Sequence, residues 1–335
     1  MMRSPRFFSV ACRAPNGEII STTEALEKTW IGRQKWLKLP FLRGSLALLD
    51  AMALGIKAMR FSANVQIDPQ YGAPATETAE AKPADVTIQT PAAAASGKAP
   101  NKAIQDASVG GAMVFGIAFG LFLFVLLPNW LAEGLKKFGI DNPMELNLAA
   151  GLIKIIFFIA YLAAIGQMEG IKEVFRYHGA EHKAINALEA GHEELDRDFC
   201  QAQTRFHPRC GTSFAVIVLI VSLFLFTFVP RYPLGESTFG LFNVLIRVAL
   251  EIIILPIIAG ISYELLRLAG KFRNQGLVNA AFKPGVWTQR LTTREPKLDQ
   301  VDVAIVALKN VLRAEATGSV DIPPHEDALE SAPMI

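Results

Sequence analysis

The sequence predicts a mainly α-helical membrane protein with about four transmembrane helices, a small N-terminal β-hairpin and a cytoplasmic helical loop that carries a candidate metal site. Hydrophobic residues make up 51% of the chain, charged residues only 19%, and the mean hydropathy is +0.31. Such a composition is apolar for a soluble protein. Four segments are long enough to cross about 30 Å of hydrocarbon. They are approximately Val109–Leu127, Leu146–Ile165, Thr212–Val229 and Phe239–Leu266.

Charge and cysteine content exclude some other classes of protein. The formal net charge of +2 gives no bulk attraction for nucleic acid, so no nucleic-acid partner is expected. The three cysteines, Cys12, Cys200 and Cys210, are widely spaced and imply no disulfide framework. We expect no signal peptide, because the basic N-terminus lacks a continuous apolar core.

Two elements are predicted before the first long apolar segment. Residues 6–24 predict a β-hairpin, because the pair Asn16-Gly17 is a strong signal for a tight turn between strands. The segment Gly44–Met59 is apolar apart from two charged residues but short for a span. We expect an interfacial or re-entrant helix there, with a true span as the alternative.

These patterns divide the chain into five parts. The division is 1–64, a cytoplasmic hairpin plus interfacial helix; 65–107, a disordered linker rich in Ala, Pro and Thr; 108–270, a transmembrane domain with the cytoplasmic loop 167–211; 271–315, a cytoplasmic loop and an amphipathic helix at Asp299–Ala314; and 316–335, a disordered tail. The stretch 284–296 within the fourth part is expected to be a loop.

The distribution of Lys and Arg predicts the topology. The loop after the second span and the tail after the fourth are rich in cations, whereas the loop after the third span holds only Arg231. Because cations accumulate in cytoplasmic loops, both termini and the loop 167–211 are expected in the cytoplasm. Within the spans, Arg247 and Glu251 are four residues apart and are expected to pair, while Lys154 pairs or snorkels.

A histidine-rich stretch in the loop 167–211 is the strongest chemical signal. His178 and His182 would lie one turn apart on the same face of a helix, where both imidazoles can reach one metal ion. Glu181 between them can deprotonate a metal-bound water, as in the His-x-x-Glu-His motif of inverzincin metallopeptidases. The competing interpretation is a helix with two hydrogen-bonded core histidines and a solvated Glu181.

A second cluster, His207 and Cys210, lies just before the third span. Both residue types are good ligands for a zinc-like ion, although a structural turn with an inert Cys210 is the alternative. With His178 and His182 they would close a four-ligand structural site. A set of the two helical histidines with Glu264 or Glu189 would leave a coordination position for water, as catalytic sites require. Glu189 is about 10 Å along the helix from His182, so we expect it to contact the ligands rather than to bind the metal itself.

Several strings occur in an order that resembles the YqhQ family. They are MMRSPR, PNGEI, PFLRG, YHGAEHKAIN, HPRCGTSF, LPIIAGISYE and PGVWTQRLTTREP. Members of that family are bacterial membrane proteins of unknown function that are sometimes described as predicted metal-dependent enzymes. The resemblance implies a bacterial inner-membrane location and implies that the HGAEH and HPRCG motifs belong to one site.

Three functions are compatible with these observations. The first is a membrane metal-dependent hydrolase with a divalent ion, zinc above all, and Glu181 as base; its substrate is a membrane-protein segment or a lipid-linked molecule. The second is a non-enzymatic scaffold or docking protein with a structural metal or none. The third is a small transporter, which four spans support only in a homo-oligomer. All three share the lipid bilayer as a partner.

Overall fold

The computed structural model describes residues 1–26, 42–67, 111, 114–191, 195–208, 210–233, 235, 240–271 and 276–320. The described residues are mainly helical, as predicted. The strands are β1 (Met2–Arg3), β2 (Phe7–Arg13) and β3 (Ile19–Ala25). The helices are α1 (Leu42–Ile67), α2 (Val114–Phe138), α3 (Pro143–Ile165), α4 (Glu169–Glu189), α5 (Arg197–Ala202), α6 (Gly211–Thr227), α7 (Gly240–Lys271), α8 (Gly276–Thr292) and α9 (Leu298–Thr317).

The predicted hairpin is present and is extended to a three-stranded antiparallel sheet in the order β1-β2-β3. In its long ladder Phe7 pairs with Ala25 and Arg13 with Ile19. The turn depends on Gly17, whose φ of +92° is rarely adopted by residues with a side chain. The sequence did not predict β1 because two residues are too few to show an alternating pattern.

Three helices are long and apolar enough to cross a membrane, by length and composition: Val114–Phe138, Pro143–Ile165 and Leu245–Leu268. The predicted first span ended at Leu127, but α2 continues to Phe138. Pro128 is tolerated there because it begins a new helical stretch after a π-helical turn at Phe122–Leu126. The predicted third span forms only the 17-residue α6, about 26 Å long, so a count of four spans is not established.

Other boundaries also differ from the prediction. The expected loop 284–296 is helical as far as Thr292, because α8 accommodates Pro284 within it. The α1 helix runs on to Ile67, so the first three residues of the predicted linker 65–107 are helical, and 68–107 lie outside the described residues. The α9 helix covers the predicted amphipathic segment and reaches Thr317; of the predicted tail, 321–335 also lie outside the described residues.

The chain divides into two compact units. The first contains Met1–Glu80, Gly166–Val216 and Ala259–Ile335, and the second contains Ala81–Ile165 and Ile217–Ile258. The core of the first unit forms where α9 packs on α4 and on the sheet. Small residues of α4 at helical spacing allow this close packing against larger side chains of α9. These residues are Ala180, Ala184 and Ala187 on α4, and Val301, Ile305, Leu308 and Val311 on α9.

A buried polar cluster lies within the second unit. Arg247 and Lys154 both donate to Glu251, at 3.3 Å and 3.4 Å, so the predicted Arg247–Glu251 pair is confirmed. Asn129 donates to the same carboxylate at 3.3 Å. Because the residues on either side of these four are mostly apolar, the cluster joins α2, α3 and α7 by charge.

Candidate metal centre

The helix α4 brings His178 and His182 together as the sequence predicted. Their ring centroids are 4.5 Å apart, one helical turn along α4. Cys210, the residue before α6, completes the group from another part of the chain. One nitrogen of each histidine and the sulfur of Cys210 all lie within 4.8 Å of one another.

Both histidines use the same ring nitrogen to bond to the backbone. The Nδ1 of His178 is 2.9 Å from the carbonyl oxygen of Thr292, and the Nδ1 of His182 is 2.7 Å from that of Arg205. Because a carbonyl oxygen only accepts, each Nδ1 must carry the proton and donate it. Both Nε2 atoms therefore remain for the site. Histidines that bind metals are oriented by such bonds to backbone carbonyls.

Cys210 has the character of a thiolate. Its sulfur is 3.1 Å from Nε2 of His178 and 3.2 Å from the hydroxyl of Thr212. Burial alone would raise the pKa of the thiol, but hydrogen bonds from His178 and His182 outweigh it and lower this pKa to about 5. Burial likewise opposes the charge on His178, yet the bond to Cys210 raises its pKa to about 9. These opposite directions favour transfer of the proton from the Cys210 thiol to His178.

Side chains of α4 fix the segment that leads to Cys210. Besides the bond from His182, Lys183 donates to the carbonyl of Gln201, and Asn186 donates to the carbonyls of Thr204 and Phe206. Lys183 is buried and also pairs with Glu295 at 2.6 Å. These bonds satisfy carbonyls that no regular element pairs, and they hold an irregular segment in one position.

Gln289 of α8 holds the turn at Cys210 from the other side. Its fully buried amide donates to the carbonyl of His207 and the hydroxyl of Ser213, and its oxygen accepts from the His207 backbone N–H at 2.8 Å. Cys210 lies between these two residues in the chain. Gly285, one turn earlier on α8, lets the helix approach, because a Cβ there would come within 3.0 Å of Ser213.

A second close approach supports His178. A Cβ at Gly179 would lie 2.2 Å from the carbonyl oxygen of Arg294, so only glycine fits. The backbone N–H of Arg294 donates to the carbonyl of Phe175 at 2.9 Å. The chain after α8 therefore lies directly on α4, which places the Thr292 carbonyl at Nδ1 of His178.

The other predicted site residues lie outside this group. Glu181 is partly buried and its carboxylate contacts the amino group of Met1; its charge also contributes to the raised pKa of His178. The structure does not bring His207 into the group of three: its Nε2 lies 3.4 Å from a carboxylate oxygen of Glu189. Glu264 of α7 is likewise outside the group. Over the described residues, no other group of His, Cys, Asp and Glu has this arrangement.

The three ligand atoms fit a zinc-like ion. Zinc prefers nitrogen and sulfur ligands at roughly 2.0–2.3 Å, so neighbouring ligand atoms of a tetrahedral site are roughly 3.3–3.8 Å apart. The three atoms here lie within 4.8 Å of one another, so small movements would bring them to that spacing. The thiolate and the two oriented Nε2 atoms are the forms that bind metal. Three protein ligands are the number that catalytic zinc sites use, with one position open.

Sequence reasoning missed the residues that orient these ligands. The carbonyls of Thr292 and Arg205 carry no signal of residue type. Gln289 and Thr292 lie in the stretch predicted as a loop. A signal for Gln289 was nevertheless present, because a polar residue among apolar and small ones in a helix is often buried with a partner.

Comparison with known proteins places the chain in a family. A family model described as "Protein of unknown function (DUF1385)" matches residues 39–314. The chain belongs to this family. It is also 33% identical to "Uncharacterized protein YqhQ" of Bacillus subtilis (strain 168) over 292 residues. This alignment covers 87% of this chain and 83% of that protein. No solved structure gives a significant match. The resemblance to YqhQ inferred from the motifs is thus confirmed at the level of the family.

Proposed function

We propose that this protein is an integral membrane, metal-dependent hydrolase of the bacterial inner membrane. The observation that supports it best is the orientation of the two histidines. Both donate Nδ1–H to a backbone carbonyl and present Nε2 toward the Cys210 sulfur. Two histidines that only fill a core would not require the same Nδ1 hydrogen bond in both rings beside a cysteine sulfur. The three apolar helices of spanning length support the membrane location.

In this proposal, each residue has a defined task. His178, His182 and Cys210 would hold a divalent ion, which would supply Lewis-acid activation of water or of a carbonyl group. Glu181 accepts the proton of the attacking water, since it is adjacent to His182 on α4 and its charge is felt at His178. His207 and Glu189 pair with each other at 3.4 Å and support the site from behind. Glu264 has no part in the chemistry.

The position of the ligands in the chain favours a substrate at the membrane surface. Cys210 immediately precedes the apolar helix α6, and the helix with both histidines begins four residues after the candidate span α3 ends. With the loop 167–211 in the cytoplasm, the site would lie at the cytoplasmic surface of the bilayer. A membrane-protein segment or a lipid-linked molecule is the substrate class that such a position allows.

The test compares Glu181→Gln with Glu169→Gln, an exposed position on the same helix that pairs with Lys172. Both variants are assayed for metal content of the purified protein and for complementation of a strain that lacks the gene. We expect Glu181→Gln to retain the metal and fail to complement, whereas Glu169→Gln should retain the metal and complement like the wild type. A Glu181→Gln variant that complements fully while metal-loaded would refute the assignment of Glu181 as base.

The contact between Cys210 and His178 favours a second candidate, a cysteine hydrolase. A thiolate 3.1 Å from an imidazolium that is oriented by a carbonyl is the arrangement of a nucleophile and its acid. The sulfur would attack a carbonyl carbon, and His178 would protonate the leaving group. Chelation separates the two candidates. Removal of divalent ions abolishes hydrolysis by isolated membranes if the metal is required, and leaves hydrolysis intact if Cys210 is the nucleophile.

A further inference from the structure

The helix α1 carries two apolar faces, and among the residues that the structure describes only one face is covered. Its inward face packs on the sheet through residues at helical spacing, namely Leu54, Ala58, Phe61 and Val65. Its outward stripe consists of large apolar side chains that are 40–66% exposed. These stripe residues are Leu48, Leu49, Met52, Ile56 and Met59. At about 100° per residue the stripe covers about 100° of the helix and lies roughly opposite the packed face.

Ion pairs keep the stripe facing outward. Asp50, which is buried, pairs with Arg3 of β1, and Lys57 pairs with Glu24 of β3. Both pairs join α1 to the sheet. Rotation of α1 to bury the stripe would break these bonds and would also expose Leu54. The exposure of the stripe is therefore a property of the packed structure.

The start of α1 is packed against a candidate membrane span. A Cβ at Gly44 would come within 2.6–2.9 Å of Tyr263, Ala259 and Gly260, so α1 and α7 are in backbone contact there. Gly260 lies eight residues before Leu268, the end of the candidate span, which is about 12 Å along the helix. If α7 crosses a bilayer, α1 begins beside lipid, and the stripe begins one turn after Gly44.

We infer that the stripe on α1 is a membrane-docking surface that inserts into the acyl chains at the bilayer surface. This surface would press the sheet and the first unit against the membrane. The stripe contains no charged residue, and its five large side chains suit the boundary between headgroups and acyl chains. The inference rests on the membrane insertion contained in the proposed function, but not on the metal or on hydrolysis.

The experiment measures lipid contact position by position in the full chain in phosphatidylcholine nanodiscs. Single cysteines replace Met52 or Met59 on the stripe, or Ala53 or Asn64, which are exposed but lie about 100° from its centre. Each is labelled with the fluorophore NBD, and the unsubstituted chain corrects for labelling of the three buried native cysteines. The quencher is a nitroxide on the lipid acyl chain. Ile156, exposed in the middle of α3, is labelled likewise as a reference for membrane insertion.

We expect the labels at Met52 and Met59 to be quenched at least threefold more than those at Ala53 and Asn64. Quenching at Ile156 without preferential quenching on the stripe would overturn the inference and leave membrane insertion intact. No quenching at Ile156 either would contradict the membrane insertion in the proposed function as well. Unquenched stripe labels with disulfide-linked dimers through Met52→Cys would assign the surface to a second copy of the chain instead.

Discussion

Replacement of Gly179 by alanine should damage the metal site without touching a ligand. The added Cβ would meet the carbonyl oxygen of Arg294 at 2.2 Å, which is about 1 Å closer than an ordinary contact allows. The chain at Arg294 must therefore move away from α4. That movement also displaces the Thr292 carbonyl, which orients His178 from 2.9 Å.

Two magnitudes follow from this displacement. Overpacking of this kind costs about 1–3 kcal/mol of folding stability, offset by about 1 kcal/mol from the better helix propensity of alanine. Loss of a hydrogen bond that orients a metal-binding histidine lowers metal affinity about 10–100-fold. We therefore expect the effect of Gly179→Ala to be larger on metal affinity than on stability.

The assay is competition with a zinc chelator, followed by thermal unfolding of the detergent-solubilised protein. Gly170→Ala is the matched control, because it is on the same helix and a Cβ there meets nothing within 4 Å. We expect the control to bind zinc like the wild type. Wild-type affinity in Gly179→Ala would refute the claim that the Arg294 segment positions His178.

Three further predictions concern pH and two buried polar networks. Zinc affinity, measured by chelator competition, should rise about tenfold per pH unit between pH 5 and 9. Over this range zinc displaces one proton from His178, whereas Cys210 is already deprotonated. A zinc affinity that does not change with pH would contradict this. Gln289→Leu should lower zinc affinity and cost about 2–4 kcal/mol, since three buried bonds are lost, as measured by chelator competition and thermal unfolding. Glu251→Ala should cost about 3–5 kcal/mol by leaving Arg247 and Lys154 unpaired, yet keep the full metal content; loss of the metal in this variant would contradict the prediction.

Features that follow from local periodicity or from turn residues were predictable from the sequence. The apolar segments located α3 and most of α7, Asn16-Gly17 located the hairpin turn, and the spacing of His178 and His182 placed both on one face of α4. Each prediction depends only on local periodicity or turn chemistry.

Features that depend on tertiary contacts were not predictable in the same way. Cys210 lies with the two histidines, whereas the side chain of His207, three residues earlier, lies against Glu189. The position of His207 depends on Gln289, which binds its backbone. Nothing in the local pattern distinguishes these two ligand candidates. The Pro284-Gly285 pair also indicates a turn, yet Gly285 serves helix packing against Ser213.

The most direct test of the metal site is elemental analysis of the purified protein in detergent, together with His178→Ala, His182→Ala and Cys210→Ala. We expect about one zinc-like ion per chain in the wild type and its loss in all three variants. His207→Ala should retain the ion, since His207 lies outside the group of three. A wild-type protein that binds no divalent ion, even after zinc is added, would contradict the metal centre and leave the histidines as core residues.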